Sequence, residues 1–140
     1  MMEWQIVEKN NNLVITPTLK IQLKVNKLIF DETNKRIEIT VDDEQTRIKI
    51  KEIDDRIIML LGGLQKVQSV DSSSIMRLSI IYRNRRYLTT CSHVECIPVT
   101  IYDLNRYNTF ACTIHSNLII KGKDQSIYPS WHMKDVKILN

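Results

Sequence analysis

Arg77, Arg83, Arg85 and Arg86 fall within one ten-residue window, with Tyr82 and Tyr87 flanking the last three. Guanidinium groups stay charged and present fixed forks of N–H donors that match phosphate oxygens. Aromatic faces beside them give unpaired bases a surface to stack on, at roughly 1–3 kcal/mol per base and with little regard to base identity. Arg106, Tyr107, Lys121 and Lys123, together with Tyr102, extend the same combination later in the chain. These residues predict a surface for single-stranded nucleic acid, with DNA preferred, held by phosphate contacts and stacking. The same residue types also serve a fold without any ligand, since tyrosine is common in strands and arginine commonly faces water.

Other chemistry has weaker support. Cys91, His93, Cys96 and Cys112 (or His115) could supply four zinc ligands, but they lack the close pairs on turns that structural zinc sites use. Along strands, cysteine is often a small buried hydrophobe, so no metal is expected. Asp42-Asp43-Glu44 has the composition of a turn, and Asp54-Asp55 suits a helix start, where carboxylates complement the helix dipole. Three scattered histidines imply no nucleophilic triad. Gly62-Gly63 lacks the further Gly, Lys and Ser/Thr of a phosphate loop. Neither an enzyme nor a cofactor is expected.

The elements that must position the arginines follow from periodicity. Ile75–Thr90 reads as two strand-like runs around Arg83-Asn84-Arg85-Arg86, an antiparallel hairpin with a basic tip. Ahead of it, Asn10-Asn11-Asn12 separates two short apolar runs and predicts a hairpin or irregular arm. Leu19, Ile21, Leu23 and Val25 alternate with polar residues, as one face of a strand does. The apolar phase shifts to Leu28 and Phe30, which predicts a bulge or bend in one long strand. Ile37, Ile39 and Val41, then Ile48 and Ile50, resume the alternation and predict a three-strand meander. Ile53, Ile57, Ile58 and Leu61 switch to helical spacing, giving a helix of about ten residues ended by Gly62-Gly63. Val94–Tyr102, with Pro98 placing it at an edge or bulge, and Thr109–Ile120 read as further strands joined by a turn at Asp103–Asn108. A polar connection, Lys121–Ser126, leads to the last apolar positions, Trp131 to Leu139.

At 140 residues, with 43% hydrophobic and 26% charged, the chain has an ordinary globular composition and is expected to form one domain over 1–140. Residues 1–74 hold 11 Lys/Arg against 12 Asp/Glu, whereas 75–140 hold 9 against 4. The net charge of +4 therefore comes from the second half, which favours an anionic partner. Met1–Asn12 lacks the apolar segment of a signal peptide, and no apolar run of about 18 residues occurs. An intracellular, reduced protein with no membrane segment is expected, and three cysteines make an odd count that fits it.

Ile127-Tyr128-Pro129-Ser130-Trp131, followed by His132 to Leu139, resembles the C-terminal strand of OB-fold single-stranded-DNA-binding proteins of large DNA viruses and phages. The resemblance covers about the last 13 residues and implies an aromatic preceding the last barrel strand. It puts Trp131 in the core or plugging a barrel, not under a base. No acidic tail of the kind many replication-type binders carry follows it. The expected fold is mainly β, a single antiparallel barrel or sandwich of about seven to nine strands with one short helix, an OB-like barrel being favoured. The alternative function is a β-sandwich interaction module, a viral or phage assembly component that pairs through its edge strands with a partner or a second copy.

Overall fold

The computed structural model describes residues 3–62, 67–80, 82–95, 97, 99–121 and 126–140. Gln5–Lys9 (β1) and Asn12–Val25 (β2) form the expected N-terminal hairpin. Asn10 and Asn11 turn it at φ 51 and 66, left-handed values that asparagine tolerates better than most residues. In β2, Ile21, Leu23 and Val25 are buried while Lys20, Gln22 and Lys24 are exposed, as the alternation predicted.

The phase shift after Lys27 is a corner, not a bulge. The chain leaves β2 at Val25, and Leu28–Asp31 (β3) begins at the opposite end of the sheet, paired with Arg36–Thr40 (β4). The third strand of the predicted meander is helix instead. Glu44–Leu60 (α1) begins ten residues before the predicted start, and Asp43 caps it by accepting the Thr46 amide at 3.0 Å and its hydroxyl at 2.6 Å. Ile50, Ile53 and Ile57 are its buried stripe, at i, i+3 and i+7, whereas Ile48 is 50% exposed. Asp54 and Asp55 thus lie inside the helix and not at its start. Gly62, at φ 94, follows the last turn; Gly63 lies outside the described residues.

Ile75–Ser79 (β5), Tyr82–Arg83 (β6), Arg86–Tyr87 (β7) and Thr90–His93 (β8) follow. The described residues of Val94–Tyr102 form no strand: Ile101–Arg106 is a 3₁₀ helix, closed at its start by Thr100 and Asp103, while Cys96 and Pro98 lie outside the described residues. Phe110–Lys121 (β9) is the strand expected near there. Ile127–Pro129 (β10) and His132–Ile138 (β11) end the fold; the polar connection at 122–125 lies outside the described residues.

Half of the described residues are in strands, so the mainly β class holds. The main sheet runs β1-β2-β9-β11-β5-β4-β3, with β10 on β9 and β8 on β11. It is mixed, which corrects the antiparallel expectation: β11 is antiparallel to β9 but parallel to β8, and meets β5 in parallel at His132 and Ser79. The path is open at β1 and β3. Inward residues of β2, β9 and β11 join Ile37, Ile39, Met76 and Leu78 and the α1 stripe in one buried cluster. Each such aliphatic side chain contributes about 1.5–3 kcal/mol when taken out of water. Trp131 is buried in that cluster, in keeping with a core role. No helix among the described residues is long and apolar enough to cross a membrane.

Candidate nucleic-acid interface

β6 and β7 form a small hairpin that pairs Tyr82 with Tyr87 and Arg83 with Arg86. Asn84 and Arg85 make its turn at φ 52 and 65, the mirror-image geometry that matches strand twist. The predicted basic tip is therefore present, but the longer runs beside it do not pair with each other. β5 joins β4, and β8 joins β11.

The hairpin rests on an aromatic cluster. Tyr87 is its centre, 4.7 Å from Tyr82, 5.5 Å edge-on to Phe30 and 5.9 Å from Tyr102 between ring centroids. Phe30 and Tyr102 meet at 5.7 Å. Offset and edge-on pairs of this kind contribute about 0.5–1.5 kcal/mol each beyond burial. The 3₁₀ helix carrying Tyr102 is anchored to β3 by Asn105, whose Oδ1 accepts the Phe30 amide at 2.9 Å. Desolvation, then the neighbouring Tyr102, pushes the Tyr87 phenol above its ordinary pKa, so it stays neutral. Tyr82 and Tyr102 remain 40% and 54% exposed and offer ring surface to a ligand. Lys35 lies over the Tyr82 ring at 4.7 Å.

Among the described residues, Arg83, Arg85 and Arg86 have no carboxylate within ion-pair distance. Arg85 and Arg86 also line a cleft of about 320 Å³ with Tyr87, Thr89 and Tyr102. The remaining predicted residues divide differently. Arg77 is held by Asp71 at 3.2 Å and Glu38 at 3.4 Å, so its charge is already compensated. Arg106 pairs with Asp103 at 3.6 Å, but at 77% side-chain exposure that pair is screened and weak. Tyr107 is half-buried against His93, 5.7 Å between rings. Lys121 ends β9 and lines a separate cleft of about 330 Å³ with Asn11, Asn12 and Ile127. Lys123 lies outside the described residues. Phe30 and Lys35 are the members that sequence reasoning missed. The alternation of β3 marks Phe30 only as core, and Lys35 looks like any turn lysine.

Among the described residues, the cysteines and histidines of the set do not gather into a group that could hold a metal ion. Cys112 faces the core and His115, three residues on in the same strand, faces the other way. His93 is engaged by the Asn140 carbonyl and the Glu95 amide, and Cys96 lies outside the described residues. Burial pushes the Cys91 and Cys112 thiols up to about 11 and about 12, which keeps both as neutral thiols near pH 7. A cavity of about 880 Å³ elsewhere, between α1 and the segment at 67–72, is lined by Asp54, Asp55 and Asp71 among others. Those three carboxylates are already held by Ser69, Lys51 and Arg77. The uncompensated charge of the hairpin, not this cavity's volume, marks the better ligand site. Comparison with protein-family models, curated proteins and solved structures returns no match for this chain.

Proposed function

We propose that this protein binds single-stranded nucleic acid, tolerant of sequence, through the β6–β7 hairpin and the aromatic cluster beneath it. One observation carries the reading: Arg83, Arg85 and Arg86, without carboxylate partners among the described residues, surround a cluster that leaves Tyr82 and Tyr102 exposed. Guanidinium groups would follow the phosphates while the two rings accept bases. Lys35 adds charge beside Tyr82. Arg106, on the same 3₁₀ helix as Tyr102, is exposed enough to exchange Asp103 for a phosphate.

The test is fluorescence anisotropy of a labelled oligo-dT, titrated at low and moderate salt. With three or four phosphates neutralised, log affinity should fall against log salt with a slope of about −2 to −3. Arg83, Arg85 and Arg86 changed together to Glu should abolish binding and leave the fold intact. Absence of binding by the unmutated protein at low salt overturns the reading.

The competing reading is an interaction module that pairs through sheet edges. At one end of the sheet the outer side of Phe30 is occupied by Asn105, whose Oδ1 takes the amide and whose Nδ2 reaches the carbonyl at 3.4 Å. β1 is then the open end of the main path. Pairing through the main path is thereby confined to β1, whereas the hairpin reading draws on three arginines without carboxylate partners among the described residues and on two exposed rings.

A further inference from the structure

The outer face of the main sheet carries a second cationic group, separate from the hairpin. Strand register aligns Lys20 of β2 with His115 of β9, and His115 with His132 of β11. Three basic side chains therefore stand in one row across adjacent strands, whose backbones lie about 4.7–4.9 Å apart. The two imidazoles stack at 5.7 Å between centroids, 26° from parallel. Lys134 sits in the register irregularity between Met133 and Asp135 and comes close to Lys20. Among the described residues no carboxylate lies within ion-pair distance of any of the four. The Nδ1 atom of His132 is buried and has no hydrogen-bond partner among the described residues.

We propose that Lys20, His115, His132 and Lys134 form a binding site for a phosphate-type oxyanion, either inorganic phosphate or a phosphomonoester. Uncompensated like charges repel, and a dianion among them relieves the repulsion while supplying acceptors for the unpartnered donors. A divalent cation suits the site less, because two ammonium groups oppose it. Burial, followed by the charges of His132, Lys134 and Lys20, holds His115 below the usual histidine range, and a side-chain hydrogen bond with Lys134, then its charge, lowers Lys20. An anion reverses those charge effects, so its binding and His115 protonation favour each other. The groups facing this row are Lys20 and Gln22 from β2, Thr113 and His115 from β9, His132, Lys134 and Asp135 from β11, and Ser79 from β5. Asp135 is the opposing charge among them, aligned with Thr113 away from the histidine row. The inference does not rest on nucleic-acid binding, and its test uses no oligonucleotide.

NMR spectra of the histidine rings are recorded while the protein is titrated with inorganic phosphate, with methyl phosphate, and with chloride at matched ionic strength. Sulfate, a dianion at every pH used, reports the pH dependence without a titration of its own. Both rings should shift saturably with phosphate beyond the chloride control, and sulfate affinity should rise by up to about tenfold per pH unit as His115 takes up its proton. Tighter binding of methyl phosphate than of phosphate assigns the site to a phosphomonoester, and the reverse to the free anion. Both lysines are exposed, so K20Q/K134Q should fold and lose the response. Shifts equal to those in chloride, or a response that survives in K20Q/K134Q, overturn the proposal.

Discussion

Asp54 accepts both hydrogens that Ser69 can donate, the backbone amide at 2.8 Å and the hydroxyl at 2.6 Å. The Ser69 oxygen in turn accepts the indole N–H of Trp131 at 3.0 Å, so one buried carboxylate ties the middle of α1 to the corner before β11. Desolvation raises the Asp54 pKa above its ordinary value, and the two Ser69 hydrogen bonds offset only part of that rise.

The sign of the resulting pH dependence follows. A carboxyl whose folded pKa is raised binds its proton more tightly in the folded state, so its contribution is most favourable in acid and is lost as pH rises through the folded pKa. Asp54→Asn removes this titration. Urea midpoints of the unmutated protein and the variant, compared from pH 4 to pH 7, should show the unmutated protein losing stability relative to the variant as pH rises. Asp31, Asp43 and Asp71, whose pKa values are lowered mainly by hydrogen bonds, contribute the opposite trend in both proteins and cancel in the comparison. Parallel pH profiles would show that Asp54 is not the source.

Arg85 holds a left-handed conformation, φ 65, at the hairpin turn. A side chain there costs roughly 1 kcal/mol relative to glycine. Arg85→Gly should therefore raise the stability of the hairpin while removing one phosphate contact. Thermal unfolding should show an unchanged or higher midpoint, and the salt slope of oligo-dT binding should shrink by about 0.7. Loss of stability together with loss of binding would give Arg85 a structural role that the geometry does not.

Asn105 joins the 3₁₀ helix to β3 through Phe30. Asn105→Ala leaves the Phe30 amide without that partner, at a cost of about 1–3 kcal/mol. Because Tyr102 rides on the same helix, oligo-dT affinity should weaken although no charge is lost. The salt slope should stay as in the unmutated protein. Chemical denaturation and anisotropy separate the two effects, and a changed salt slope would contradict a purely positional role for Asn105.

Much of the candidate interface was legible because its determinants are local. Asn10-Asn11 and Asn84-Arg85 sit where two-residue turns require positive φ; the N-terminal hairpin forms as expected, and of the Ile75–Thr90 hairpin the basic tip alone pairs. The helix start was not legible from alternation. Over Ile48 and Ile50 a strand pattern and a helix pattern coincide, and only the continuation from Ile50 to Ile53 and Ile57, behind the Asp43 cap, separates them. Arg77 is the parallel case in the site. Its sequence neighbours mark it as part of the basic hairpin, but Glu38 arrives from another strand and Asp71 from a preceding loop to neutralise it.

By itself the sequence determined the inward and outward faces of β4 and of the Leu19–Val25 part of β2, because side chains alternate along any extended chain whatever its neighbours. It also determined the basic, tyrosine-flanked turn, since Tyr82 to Tyr87 meet across a two-residue loop. Only the tertiary structure decided that β11, the last strand, lies between β9 and β5 and runs parallel to β8. Strand partners are chosen by packing between distant segments, which no local pattern encodes. The same non-local packing slid Phe30 and Tyr102 beneath the hairpin, left Arg83, Arg85 and Arg86 without carboxylates at hand among the described residues, and aligned Lys20, His115 and His132 across three strands far apart in sequence.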